Sequence, residues 1–303
     1  FDFAAREFGQ ADQSLDIPMT AGGTYYVFVR TLHGAATMES FSLRATLPIF
    51  EASATGLVSG GNTGRVTIPI SGSLLTEKTL ATLVSSTTTI PAVAMFFQDA
   101  SRVYATFDLA GKPVGSYDIR LDDGGRSTTL AGGFSVVPGL AGTTQVTLGV
   151  ANEVRAGGLG SVTVRYVNTS NVDALAPLIA VSADHALFYL PDSEALKVST
   201  ITILGIAPDG PAGVLRPGAS GEVTIPLRST AATGQDIQYS TVIADPNRSM
   251  DWASSKDAMR MDHIAPDAWD AIYSNFTTNI GGTVGSYQNV LAADATYLSA
   301  LGV

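Results

Sequence analysis

At 303 residues the chain is too long for one β-sandwich of about 100 residues, and its length fits two or three domains. Hydrophobic residues make up 45% of it and charged ones 15%, enough apolar material for folded cores and too much for wholesale disorder. The 17 basic and 27 acidic residues give a net charge of -10, which argues against nucleic acid or an anionic membrane as partner, since both reward a basic face. Cysteine is absent, so thiolate zinc sites, thiol nucleophiles and a disulfide framework are excluded together. No apolar run approaches the ~20 residues that span a bilayer, so no membrane insertion is expected of this segment. The chain opens on Phe1 with no basic stretch leading into an apolar one, and reads as an internal piece of a longer polypeptide or a mature product. A cysteine-free, acidic, Gly/Thr/Ser/Val-rich composition fits an exported bacterial protein, outside the cell or on its surface.

Alternation with a period of two dominates the first four-fifths of the chain and predicts strands with one buried face. After Gly22-Gly23, residues 25–29 read as a strand pairing with 41–47, and Pro48 ends that unit. The turn cluster Gly60 to Gly64 opens a second unit, in which Val66, Ile68 and Ile70 share a face. Further strands are predicted over 92–97, 102–109 (Val103, Ala105, Phe107 and Leu109 inward), 117–121 and 134–137. Asp122-Asp123-Gly124-Gly125 reads as a hairpin turn, and Pro138-Gly139 as a linker. A third unit carries predicted strands at 145–148, 161–166, 199–204, 221–227 and 237–243. Gly64 to Ile70 and Gly221 to Leu227 echo one another as Gly-x-Val-Thr-Ile-Pro-x.

Beyond Asp245-Pro246 the period becomes helical. Pro266 opens a helix with Trp269, Ile272, Tyr273, Phe276 and Ile280 on one face, and Gly281-Gly282 breaks it. Thr283 or Ser286 caps a second helix carrying Tyr287, Val290, Leu291, Tyr297, Leu298 and Leu301, with Gly302 as a stop. The aromatic face of this helical hairpin must pack on the preceding sandwich or on a following domain. Trp252 is expected to staple the tail to the third unit.

Candidate chemistry is sparse. His33, His185 and His263 have no second ligand at metal spacing and read as turn or surface residues. No Gly-x-Ser-x-Gly elbow has a plausible His partner, and Gly111-Lys112 lacks the rest of a phosphate-binding loop. Gly157-Gly158-Leu159-Gly160 leads into a strand rather than a helix, so its likeness to a dinucleotide loop is spurious. Asp122-Asp123 and the Asp245/Asp251 region are the candidates for Ca²⁺, although neither carries the ladder of oxygen ligands a dedicated loop has. Tyr104, Tyr239 and Trp252 are candidate loop aromatics for a sugar surface. No catalytic and no cofactor-binding residue is identified, and metal ligands stay unassigned.

Three stretches resemble modules of large secreted bacterial surface proteins. Ala21-Gly-Gly-Thr-Tyr-Tyr-Val-Phe-Val29 with Phe41-Ser-Leu43 resembles the last strands of pre-peptidase C-terminal domains, over about 45 residues. Phe107-Asp-Leu109 and Gly115-Ser-Tyr-Asp-Ile119 resemble the closing strands of IPT/TIG modules, and Val164-Arg-Tyr-Val-Asn-Thr169 resembles CARDB-like adhesion modules. The resemblance implies spacer, adhesion or interaction roles and transfers no catalytic residue. The expected architecture is mainly β: tandem immunoglobulin-like antiparallel β-sandwiches followed by a C-terminal helical hairpin. Its bounds are 1–48 (partial pre-peptidase C-terminal-like), 49–139 (IPT/TIG-like), 140–245 (CARDB-like) and 246–303 (helical tail). Short Pro/Gly joints would limit bending between modules. The expected function is that of a non-enzymatic structural or adhesive segment, a spacer or interaction module. Its partners would be neighbouring domains of the same polypeptide, other copies or surface glycans. The alternatives are a carbohydrate- or calcium-dependent binding module and an accessory region of a secreted hydrolase.

Overall fold

The computed structural model describes residues 15, 26–28, 42–44, 47–190 and 193–300. The unit expected at 1–48 thus falls largely outside the described residues. Its described parts, 26–28 and 42–44, are not in strands. Tyr26 is 92% exposed and Leu43 62%, so these segments lack the buried face that would hold a strand pair.

Among the described residues from 51 to 243 every regular element is a strand. Nine come first: β1 (Glu51–Thr55), β2 (Ser59–Gly61), β3 (Arg65–Ser73), β4 (Leu80–Val84), β5 (Thr89–Pro91), β6 (Ala94–Asp99), β7 (Arg102–Asp108), β8 (Gly115–Asp122) and β9 (Ser127–Val137). They form two sheets, ordered β1-β3-β7-β6 and β2-β9-β8-β4-β5. The inward residues expected from alternation (Val66, Ile68 and Ile70 on β3; Val103, Ala105 and Phe107 on β7) are all buried. So are Thr67 and Tyr104, whose side chains alternate onto the opposite face. Both β3 and β7 are interior strands, and over these residues they are covered on both sides.

Ten more strands follow: β10 (Thr144–Val150), β11 (Leu159–Asn168), β12 (Ala174–Leu175), β13 (Leu178–Ala183), β14 (Ala186–Leu190), β15 (Ser193–Val198), β16 (Thr200–Leu204), β17 (Val214–Leu215), β18 (Ser220–Ser229) and β19 (Tyr239–Ile243). Their sheets are β10-β11-β18-β14-β15, β16-β13-β19 and the short pair β12-β17. Val162, Val164 and Tyr166 of β11, Ile225 and Leu227 of β18, and Ile179 and Val181 of β13 share one core. Two sheets closing on one apolar layer is an arrangement consistent with a β-sandwich. By compactness the chain divides into two units. One takes Phe1–Val58, Ile68–Thr106 and Ser116–Phe134, and the other Ser59–Thr67, Phe107–Gly115 and Ser135–Val303.

The Val-Thr-Ile-Pro echo has a local structural meaning. Pro69 and Pro226 lie inside interior strands, where proline removes a ladder donor. In each case the neighbouring strand stops there. The β1 ladder ends at Ile70, with Gly56 N–H still reaching the Pro69 carbonyl at 2.9 Å, and β14 pairs with β18 only from Leu227 to Ser229.

Three helices follow among the described residues: α1 (Trp252–Ser255), α2 (Pro266–Ile280) and α3 (Val284–Ala300). Pro266 occupies the first turn of α2, and Gly281 ends it at φ +93°, a conformation that favours glycine. Thr283 and Ser286 cap α3 reciprocally, each hydroxyl accepting the other's backbone N–H at 3.1 Å. The buried faces differ from those the large apolar residues predicted. On α2, Trp269, Tyr273 and Ile280 are buried, Ile272 is exposed, and Phe276 is part-exposed with its ring against Trp252 and Tyr273. On α3 the buried stripe is Val284, Gln288 and Ala292, four residues apart, and Tyr297 and Leu298 are exposed. Small side chains let α3 approach closely: a Cβ on Gly213 would lie 3.3 Å from that of Ala292. Gln288 Nε2 donates to the Ala176 carbonyl at 2.9 Å. The helix thus docks on the preceding β unit.

Candidate functional site

The acidic candidates are committed to local structure. Asp122 accepts the Gly124 N–H at 2.8 Å, and Asp123 accepts those of Gly125 at 3.2 Å and Arg126 at 2.8 Å. The Arg126 guanidinium pairs with the other oxygen of Asp123, donates to the Leu74 carbonyl and lies over the Phe50 ring. The hydrogen bond from Arg126 holds the Asp123 carboxyl below its ordinary range. Asp245 accepts the Asn247 N–H at 2.9 Å in a turn, and Asp251 caps α1 through the Ser254 N–H at 3.2 Å. That bond to Ser254 lowers the Asp251 carboxyl as well. Among the described residues no three of His, Cys, Asp and Glu gather as a metal site.

His185 links β13 to β14 at φ +61°, exposed, with its Nε2 2.8 Å from Gln235 Nε2. His263 lies exposed in the turn before α2, and His33 lies outside the described residues. Gly111-Lys112 forms a turn whose N–H groups reach the carbonyls of Asn62 and Leu109, both at 3.0 Å. Gly157, at φ +69°, turns the chain into β11.

The aromatic candidates are not a loop surface. Tyr104 is fully buried on β7, its hydroxyl donating to Gln98 at 2.9 Å and its ring edge-on to Phe96. Tyr239 lies on β19 opposite Ala183 and packs on the shared core, where desolvation raises its hydroxyl. Trp252 joins parts of the tail to one another. Its Nε1 donates to the Gly281 carbonyl at 2.9 Å, and its ring stands edge-on to Phe276 and Tyr287. Tyr104 and Tyr239 belong to strands and Trp252 to α1, so none of the three stands on a loop.

The densest polar arrangement is one the candidate residues did not include. It centres on Asn168 to Asp173, the run that follows β11. Asn168 is buried, its amide donating to the carbonyls of Val172 and Leu215, both at 2.8 Å, while its oxygen accepts the Ser170 N–H at 2.9 Å. The Asn-Thr run that resembles an adhesion module is thus a structural pin here. Asn171 grips the linker: its Nδ2 donates to Pro138 O at 2.9 Å, and its Oδ1 accepts the Leu140 N–H at 2.7 Å. From the other side Asn62 Oδ1 accepts the Gly139 N–H at 3.1 Å. The approach is close, because a Cβ on Gly61 would fall 2.2 Å from Asn171 Oδ1.

Asp173 meets the start of β3. Its N–H donates to the Arg65 carbonyl at 2.8 Å. Its two carboxyl oxygens accept from Thr67, Oδ1 from the N–H at 3.0 Å and Oδ2 from Oγ1 at 2.6 Å. Asp173 therefore covers the strand edge that β1 abandons at Pro69. Burial pushes its carboxyl up to about 6, outweighing the Thr67 hydrogen bonds and the charges of Arg216 and Arg65. Arg216, itself buried, pairs with Asp209 at 2.6 Å. A clear turn-former signal marks this run, since Asn, Ser, Asn and Asp occur within six residues. Its partners, however, lie as far as 106 positions away.

No family model and no curated protein sequence matches the chain. Among solved structures, a likeness was found to SGBP-B from a complex xyloglucan utilization locus in Bacteroides uniformis. It has 11% identity and a TM-score of 0.24, and spans 66% of this chain and 74% of that one. A second is the Salmonella alpha-2-macroglobulin mutant Y1175G, at 14% identity and TM-score 0.18, over 61% of this chain and 13% of that one. At these scores neither likeness supports a functional argument. Among the described residues no helix is long and apolar enough to cross a membrane.

Proposed function

We propose that this chain is a non-catalytic structural or adhesive segment of a large secreted or cell-surface bacterial protein, built of immunoglobulin-like modules that act as a spacer. The observation that carries the reading is the linker at 138–140. Within the second compact unit the backbone groups Pro138 O, Gly139 N–H and Leu140 N–H are each held by an asparagine side chain, as suits a segment with a fixed structural role. Flexible linkers leave such groups to water. The same reading accounts for acidic and aromatic candidates that are spent on turns, caps and cores.

Hydrogen exchange tests it. In the native chain the Gly139 and Leu140 amides should exchange at least tenfold slower than in an unstructured peptide, and Asn171→Ala should release Leu140 while leaving Gly139 held by Asn62. Free-peptide exchange at both amides in the native chain would make 138–140 a hinge and remove the basis of the spacer reading.

A further inference from the structure

We propose that the loop 256–265, between α1 and α2, is a binding site for a soft monovalent cation of the copper(I) class, with the thioether sulfurs of Met259 and Met261 and the imidazole of His263 as its ligands. The three stand at alternate positions in Met259-Arg260-Met261-Asp262-His263. Met250, Met259 and Met261 are three of the chain's six methionines, so thioethers concentrate at this one stretch. Methionine usually fills cores. Here Met259 is 44% exposed and Met261 59%, and His263 is exposed as well, which leaves the trio accessible from solvent.

Folding confines the three to a small volume. The loop is fastened at both ends: Trp269 Nε1 donates to the Lys256 carbonyl at 2.9 Å, Lys256 Nζ pairs with Asp270 at 2.7 Å, and the Trp269 N–H reaches the Ala265 carbonyl at 2.9 Å. Inside it run two consecutive turns, closed by the Arg260 N–H on the Asp257 carbonyl at 3.3 Å and by the Ile264 N–H on the Met261 carbonyl at 3.0 Å. Even fully extended, the backbone from Met259 to His263 spans no more than about 14 Å, and the turns shorten it. Methionine is unbranched and freely rotating, so two sulfurs and one ring nitrogen can close on one ion while the ends of the loop stay fixed.

The donor set selects the cation. A thioether is a neutral, polarisable donor that suits copper(I) or silver(I), whereas calcium and magnesium take oxygen ligands. Zinc favours thiolates, imidazoles and carboxylates, but the chain has no cysteine, and among the described residues no three of His, Cys, Asp and Glu gather. The partners of His263 are sulfurs, which a spacing of histidines and carboxylates does not register. With Lys256 paired to Asp270, the remaining loop charges, Asp257 and Asp262 against Arg260, sum to one negative, which favours a cation. The inference does not rest on the spacer reading, since a spacer that carries a cation loop remains a spacer.

The test is a titration of the full chain with silver nitrate in chloride-free buffer, followed by ¹H–¹³C NMR of the methionine ε-methyl groups and the His263 ring. The Met259, Met261 and His263 signals should move together and saturate at about one silver ion per chain, while Met95 on β6 stays in place. Met259→Leu with Met261→Leu keeps the apolar volume and should weaken silver binding by at least about tenfold. Zinc(II) should leave both methyl signals where they are. Methyl signals that do not move, equal movement at Met95, undiminished binding in the double variant, or zinc(II) acting as silver does would each overturn the proposal. If the double variant does not fold, the native-chain titration with the two metals decides.

Discussion

Replacing Asn168 with alanine should destabilise the fold by about 3 kcal/mol, read as a fall in the denaturant midpoint at unchanged slope. The side chain is 1% exposed and closes a network: its Nδ2 donates to the carbonyls of Val172 and Leu215, and its Oδ1 accepts the Ser170 N–H, with the Ser170 hydroxyl also reaching the Val172 carbonyl at 2.7 Å. Truncation takes this partner from the Leu215 carbonyl and the Ser170 N–H where water reaches them poorly, at about 1–3 kcal/mol each before relaxation, while the Val172 carbonyl keeps the Ser170 hydroxyl. Asn168→Asp should be no milder, because a carboxylate would set its oxygen against the two carbonyls that now receive N–H groups. If Asn168 instead belonged to a recognition surface, alanine would leave stability within about 0.5 kcal/mol of the native value. The two accounts are thus separated by one denaturation curve.

Tyr104→Ala should cost about 3–5 kcal/mol, the range for removing a fully buried aromatic ring. Tyr104 is wholly shielded, leans edge-on against Phe96 and donates its hydroxyl to Gln98. Tyr104→Phe separates the two contributions: it keeps the ring and loses one hydrogen bond, for about 1 kcal/mol. A sugar-binding tyrosine would behave in the opposite way, losing affinity with little change in stability. Equilibrium unfolding of both variants checks the assignment, and a near-neutral Tyr104→Ala would return the residue to the list of surface aromatics.

Strand positions were readable wherever a strand alternates cleanly. Val66, Ile68 and Ile70 on β3, and Val103, Ala105 and Phe107 on β7, lie inward as their spacing predicts. The helices were readable from punctuation, since Pro266, Gly281 and the Thr283/Ser286 pair fix where α2 begins, where it ends and where α3 starts. What alternation could not show is what covers a strand's second face. That is why Tyr104, a candidate surface aromatic by sequence, is buried, as is Thr67 on the face opposite Val66 and Ile68. The strands β1, β2, β4, β5, β12 to β15 and β17 went unread, most of them being five residues or fewer, and Gly60-Gly61, expected in a turn, belong to β2. For α3 the large side chains misled, because a close approach to Gly213 selects Val284, Gln288 and Ala292 over Tyr297 and Leu298.

The polar centre was the least legible part. Acidic pairs such as Asp122-Asp123 attract notice because they are adjacent, yet adjacency is what suits them to turns, where each caps the N–H groups just ahead. Asp173 looks unremarkable in sequence, flanked by valine and alanine, and its importance comes entirely from residues brought to it by folding. A single asparagine-rich turn reaching Val172, Leu215, Pro138 and Leu140 is a tertiary fact that no local pattern contains.

The central claim is that the acidic and aromatic residues of this chain serve its architecture and that the segment acts as a passive spacer. Size-exclusion chromatography with light scattering, run with and without millimolar calcium, tests it most directly. A monomer whose mass and elution do not change with calcium is the predicted result. An oligomer or polymer that forms with calcium and dissolves on chelation would contradict the account and make the segment a calcium-linked assembly element.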